Sequence, residues 1–185
     1  MESPKIVTER LLLRQIVQDD LGFVFRLYSA HETNRYSSYG DLASMEDARK
    51  TYEKYLKPGS PSHFRVAVEL KAMGEVVGTL GFYNYSEDNR RAELGYDLFR
   101  EHWGRGYMTE AVKALLDYGF LRLNLNRMEA TVDSENQRSI RLLERLGFVR
   151  EGCLRERFHY KNRCHDDLVF GMLRKEWPGI GPHVH

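Results

Sequence analysis

The stretch Trp103-Gly104-Arg105-Gly106-Tyr107-Met108 constrains this chain more than any other. Before it, the residues from Arg91 to Phe99 (Arg-Ala-Glu-Leu-Gly-Tyr-Asp-Leu-Phe) alternate polar and apolar as a strand does. After it, Ala111, Val112, Leu115, Leu116 and Phe120 recur at helical spacing, on a face wide enough to pack on a sheet. A strand, a short glycine loop and a helix therefore follow one another. A helix start carries unpaired backbone N–H groups and the positive end of the helix dipole. Glycine lets that backbone come close to an anion, so the spacing fits a phosphate cradle. The same two glycines also suit a plain strand-to-helix turn, and the spacing alone leaves both open. Two phosphate motifs are excluded. Thr109 stands where a dinucleotide fingerprint needs a third small residue, and the Gly-Lys-Ser/Thr ending of a P-loop is absent.

A formal net charge of +1 over 185 residues argues against broad attraction to nucleic acid or to a membrane surface, so phosphate binding has to be local. The length suits a single domain, 1–185, and the chain shows no repeat and no long linker. No apolar run spans a bilayer and Met1-Glu2-Ser3-Pro4-Lys5 lacks a leader pattern, so a cytoplasmic protein is expected. Cys153 and Cys164 are too few for a disulfide framework. His159, Cys164 and His165 lie among Lys, Arg and Asn, which reads as a solvated loop, and no metal is expected.

The pattern predicts a strand over 5–16 and a helix from Leu21 capped by Asp19 or Asp20. A second helix follows over 44–56, then two hairpin strands over 63–70 and 75–85. After the helix that ends near Leu121 come a strand over 127–133 and a helix opened by a Ser134/Gln137 capping box. Gly147 ends that helix, and strands over 148–154 and 167–173 flank a basic, aromatic loop. The fold class expected is mixed α/β: a single twisted, mostly antiparallel sheet with helices on both faces.

In this order of elements the chain resembles the GNAT superfamily of acetyl-CoA-dependent N-acetyltransferases. The glycine loop stands where that superfamily carries Gln/Arg-x-x-Gly-x-Gly/Ala, with Trp103 at the first position and Met108 at the last. Several further pieces are similar to the bacterial ribosomal-protein N-terminal acetyltransferase branch: Thr8-Glu9-Arg10-Leu11-Leu12-Leu13-Arg14, Glu93-Leu94-Gly95-Tyr96, Asn136-Gln137-Arg138-Ser139 and Leu146-Gly147-Phe148. The resemblance implies the acyl-CoA N-acyltransferase fold, in which two adjacent parallel strands, here 91–99 and 127–133, splay apart to admit acetyl-CoA. It implies that Leu98 and Phe99 offer backbone to the pantetheine arm. Trp103, Gly104, Arg105, Gly106, Tyr107 and Met108 would wrap the pyrophosphate, and Asn136 would reach the arm from the far strand while also suiting a helix cap. Homodimers are common in that branch.

Acetyl transfer needs a neutral amine and a stabilised leaving thiolate. Glu93 is the candidate base, unless Arg90 or Arg91 pairs with it; Glu151 is a second carboxylate. Superfamily members often place a tyrosine four residues before the Gly-Phe pair, but Leu143 stands there and has no proton to give. In the branch this chain resembles, a serine at the place of Ser139 contacts the sulfur, although Ser139 also fits an ordinary helix surface. The segments 31–40 and 155–165, rich in Tyr, Arg and His, are the candidate acceptor surface. A protein N-terminal amine is the expected acceptor. A small amine such as a polyamine, an aminoglycoside or an amino-acid-like metabolite, or a non-catalytic acyl-CoA module, are the alternatives. The loops are not conspicuously acidic, which counts against a polycation.

Overall fold

A computed structural model describes residues 3–31, 33–36, 41–57, 59–160 and 163–179. The elements run β1 (Ile6–Val7), β2 (Leu11–Gln15), α1 (Leu21–Ser29), α2 (Met45–Thr51), β3 (Phe64–Leu70), β4 (Glu75–Ser86), β5 (Arg91–Leu98), α3 (Tyr107–Asp117), β6 (Arg127–Asp133), α4 (Gln137–Leu146), β7 (Val149–Tyr160) and β8 (Arg163–Leu173). The strands form one sheet in the order β1-β2-β3-β4-β5-β6-β8-β7. Every neighbouring pair is antiparallel except β5 and β6.

Helices α3 and α4 cover one face. Leu115 and Leu116 of α3 and Leu143 of α4 are fully buried against Phe82, Met128 and Phe170 of the sheet. Complete burial of one such leucine contributes about 1.5–3 kcal/mol. Helices α1 and α2 cover the other face over β2 to β4, where Val24, Leu27 and Tyr28 meet Ile16, Ala67 and Phe99. Helix α4 ends as its sequence directs: Phe148 N–H reaches back to Leu143 O at 3.0 Å and the Phe148 ring is buried.

Four details differ from the sequence expectation. The first strand is broken, because Thr8 N–H closes a turn onto Leu11 O at 2.9 Å and folds β1 back on β2. Asp20 precedes α1 but its side chain caps nothing there; it accepts instead from Arg14, at 2.8 and 2.9 Å, and from Val17 N–H. Asn136, not Ser134, caps α4, accepting from Ser139 N–H at 3.2 Å, while Gln137 donates to Ser134 O. The segment 155–165 is the far half of a long β7–β8 hairpin, with Phe158 opposite His165 and Tyr160 opposite Arg163. Both of its faces meet solvent, so no apolar alternation marks it in the sequence. The expected acceptor segment 31–40 lies partly outside the described residues, at 32 and 37–40.

Candidate functional site

Strands β5 and β6 pair in parallel only at Arg91–Arg127, Ala92–Met128 and Glu93–Glu129. From Leu94 and Ala130 onward each continues without the other, so the sheet opens between them toward their C-terminal ends. The backbone of β5 decides what faces this gap. Phe99 N–H bonds Val77 O in the β4 segment and Phe99 O accepts from His102 N–H, both at 3.0 Å, so neither group is available to a ligand. Strand alternation then turns the amide groups of Tyr96 and Leu98 toward the open edge. Leu98 O accepts the Trp103 indole N–H at 2.9 Å, and the Arg138 guanidinium lies 4.4 Å over the Trp103 ring. The first residue of the glycine loop thus ties the end of β5 to the start of α4 across the mouth of the gap.

The loop is held from behind. Gly104 and Gly106 both take left-handed backbone, at φ 76° and 80°, and Gly106 leads into α3. The first helical bond runs from Glu110 N–H to Gly106 O, which leaves the N–H groups of Tyr107, Met108 and Thr109 without acceptors in the helix. Met108 itself is buried in the core, so only its backbone is on offer, and Arg105 is exposed. Arg10 donates to Arg105 O at 2.9 Å and sits 4.8 Å over the Tyr107 ring. It also bonds Glu110 through its side chain at 2.6 Å and its backbone N–H at 2.8 Å, and Thr8 Oγ adds a third bond at 2.6 Å. The Thr8-Glu9-Arg10 stretch therefore clamps the first turn of α3. It also neutralises the one acid that would weaken the field of the helix start.

Burial pushes the Glu110 carboxyl up, but the bonds from Thr8 and from Arg10 outweigh it and hold the group below the usual glutamate range. Its stabilisation is therefore present above the unfolded pKa of about 4.3 and is lost as pH falls through the lower folded value. Glu110→Gln is expected to melt several degrees below the parent at pH 7, and thermal melts from pH 7 down to pH 3 should show the gap closing. A gap constant across that range would assign Glu110 to packing alone.

On the α3/α4 side of the gap, Tyr96 of β5 and Ser139 in the first turn of α4 share a hydrogen bond, OH to Oγ, at 2.6 Å. Burial pushes the Tyr96 phenol up to about 12. Asn136 holds the helix start beneath Ser139 through its Oδ1. The sequence points to Ser139 and Asn136 but not to Tyr96, whose one signal in the Glu-Leu-Gly-Tyr run is its odd spacing from Glu93. Three residues along a strand put two side chains on opposite faces.

Glu93 accordingly faces the α1/α2 side. Its partner is Asn84, whose Nδ2 donates to Glu93 Oε2 at 2.9 Å. Asn84 sits in left-handed backbone, φ 48°, where β4 bulges by one residue against β5. Bulges re-aim side chains in this way. Neither expected arginine takes Glu93: Arg91 pairs with Glu129 at 2.8 Å and Arg90 binds Asn124 at 2.9 Å. Gly95 leaves room for the Tyr83 ring beside Glu93, since a Cβ there would lie 2.5 Å from that ring. Glu151 is tied by both oxygens to Arg127, which holds its carboxyl below the usual range and makes it a poor base.

Two more carboxylates share the face of Glu93. Asp133 on β6 stands opposite Asp167 on β8. Asp167 titrates above the usual aspartate range, first through partial burial and then through the charges of Asp133 and Glu93, against the pull of Arg157 and His165. His165 Nδ1 lies 2.8 Å from Asp133 Oδ2. Ligand atoms of Asp133, Glu135 and His165 come within 4.8 Å of one another, but Arg163 also binds Glu135.

Residues 10–149 match the family model described as an acetyltransferase (GNAT) domain. An N-acetyltransferase named p20 from Bacillus licheniformis is 40% identical over 94% of this chain and 98% of its own. YdaF of Bacillus subtilis, provisionally named a ribosomal N-acetyltransferase, is 34% identical over 57% of this chain and 58% of its own. The structure of spermidine N-acetyltransferase from Vibrio cholerae, in complex with CoA and spermine, superposes with a TM-score of 0.80 at 26% identity, over 91% of this chain and 98% of that one.

Proposed function

From the premise that this chain belongs to the GNAT acetyltransferase family, whose members move acetyl from acetyl-CoA to an amine, we propose that it acetylates a primary amine entering from the α1/α2 side of the β5/β6 gap. The observation that carries this reading is the arrangement of the gap. A carboxylate stands on one face of β5, at Glu93, and a hydroxyl pair on the other, at Tyr96 and Ser139. Acetyl-CoA supplies the thioester. The chain supplies a place for each end of it: unpaired N–H groups at the start of α3 for the pyrophosphate, with open space above Gly104, and the open edge of β5, at the Tyr96 backbone and the Leu98 N–H, for the pantetheine amides. Trp103, Arg105, Gly106, Tyr107 and Met108 complete the loop through their backbone, and Asn136 holds the start of α4. Glu93 takes the amine proton, directly or through water. The hydroxyl pair faces the departing sulfur.

The acceptor we favour is a protein N-terminal α-amine. Such a group titrates near 7.7–8.0, so a single carboxylate suffices, whereas an amine near 10.4 needs a desolvating pocket. Among the described residues Glu93 is half-exposed and offers none. The likeness to YdaF supports the same reading. A polycationic amine is the second reading, and Asp133 and Asp167 beside Glu93 favour it. These acids come from three strands and not from the loops, whose composition alone counted against a polycation. Acetylation of peptides with free N-termini, spermidine and an aminoglycoside, read by product mass, decides between the two. Peptide turnover at least tenfold above spermidine is expected. The reverse ratio would overturn the α-amine reading, and no product with any acceptor despite acetyl-CoA binding would leave a binding module.

A further inference from the structure

We propose that Tyr96 is a positioning residue for the leaving group: its phenol donates to Ser139 Oγ and so fixes the serine proton on the coenzyme sulfur. The inference rests on the acetyl-CoA reading above and goes one residue beyond it.

Three observations carry it. First, the two hydroxyls are 2.6 Å apart and join β5 to α4 on the side of the gap away from Glu93. Second, the place from which a tyrosine would otherwise reach the sulfur holds Leu143, which is fully buried in the core. The hydroxyl pair is therefore the donor set that the described residues present on this side. Third, Tyr96 lies on the part of β5 that has lost its β6 partner while it stays paired with Leu80 of β4, so its phenol stands beside the open gap on a strand held in register from the other side.

The direction of the bond follows from acidity. A phenol is a stronger acid than an aliphatic alcohol, so Tyr96 O–H donates and Ser139 Oγ accepts. That leaves the serine O–H free to point elsewhere. Burial keeps the phenol protonated at any working pH, so it remains a donor and does not itself become the acid. The charged group that acts on the phenol is Asp97, on the opposite face of β5, while Arg138 on α4 is stacked on Trp103. In the transfer the amine nitrogen bonds to the carbonyl carbon and the carbon–sulfur bond breaks with its electron pair left on sulfur. The amine proton passes to Glu93. The serine hydrogen bond holds the thiolate until solvent protonates it, and the proton on Glu93 returns to solvent. A bond made to the thiolate and not to the thioester lowers the barrier without tightening acetyl-CoA binding.

Such a bond has a readout that needs no turnover. Coenzyme A and desulfo-coenzyme A share every group but the sulfur. Calorimetric titration of both, from pH 7 to pH 10, should show the affinity ratio rising with pH in the parent protein as the bound thiol ionises. A thiol pKa lowered by one unit corresponds to a tenfold rise. Tyr96→Phe and Ser139→Ala are each expected to flatten that rise, and the double variant to add nothing further, as residues acting through one bond should. kcat should fall in both while KM for acetyl-CoA stays close to the parent value. If Tyr96→Phe does not fold, Ser139→Ala in the exposed first turn of α4 still supplies the comparison. A ratio independent of pH in the parent, or Tyr96→Phe weakening both ligands equally, would overturn the inference and make the pair a brace between β5 and α4. Failure of the parent to bind either ligand would instead overturn the acetyl-CoA reading itself.

Discussion

Glu93→Gln is expected to lower kcat/KM for the amine acceptor about a hundredfold at pH 7, at the low end of what a general base contributes. The low end applies because an α-amine with a pKa near 7.7–8.0 is already partly neutral there. The deficit should shrink toward pH 9, where the acceptor loses its proton unaided. Glutamine can still accept the Asn84 bond, so the β4 bulge and the fold should be kept, and thermal melts check this. Affinity for acetyl-CoA should be unaltered. A second effect follows from charge. Removing the Glu93 carboxylate takes away one of the causes that hold Asp167 above its usual range, so Asp167 should ionise at lower pH in the variant. Steady-state rates against pH with a peptide acceptor test both effects. An unaltered profile would remove Glu93 as base. Glu151 would not replace it, because Arg127 occupies both of its oxygens.

How much of this was legible in the sequence depends on the range of each interaction. The β5–loop–α3 unit was readable because its determinants are local: strand alternation, two glycines and a helical apolar face. The end of α4 was readable for the same reason. The break between β1 and β2 was not, because the Thr8–Arg10 turn is set by Glu110, about a hundred residues away in sequence. The family-like Thr-Glu-Arg stretch was visible as a motif, but its work as a clamp on the glycine loop and the first turn of α3 appears only once α3 is docked. The cap of α4 moved from Ser134 to Asn136 because Asp133 takes Glu135 N–H at 2.7 Å and spends the intervening residues on a turn. Among the candidate site residues, Glu93 and Ser139 fall on opposite sides of one gap. Tyr96, Asn84 and the Asp133–Asp167 pair stayed hidden. Each acts across strands or across the gap, and no single stretch of sequence holds both partners.

Gly106→Val should be the most damaging change to cofactor binding, lowering acetyl-CoA affinity tenfold or more. Gly106 holds φ 80° at the entry to α3. Left-handed backbone costs an ordinary L-residue about 1–2 kcal/mol, and a β-branched one more. The added Cβ would also lie 3.3 Å from the Arg10 guanidinium, the group that binds Arg105 O and Glu110 behind the loop. The loop has either to keep its shape under strain or to relax and turn its N–H groups off target. The first course lowers the melting temperature by about 5 °C on a cost near 2 kcal/mol; the second weakens phosphate binding. Gly104→Ala separates the two, because its Cβ would enter open space and only the φ of 76° opposes it. Arg105→Ala should do less than either, since a single exposed charge contributes little. Calorimetric titration of acetyl-CoA beside melts of all three variants gives the order. Gly106→Val with a lowered melting temperature and an unchanged affinity would mean that the left-handed turn serves the fold alone, and that the phosphate is held elsewhere.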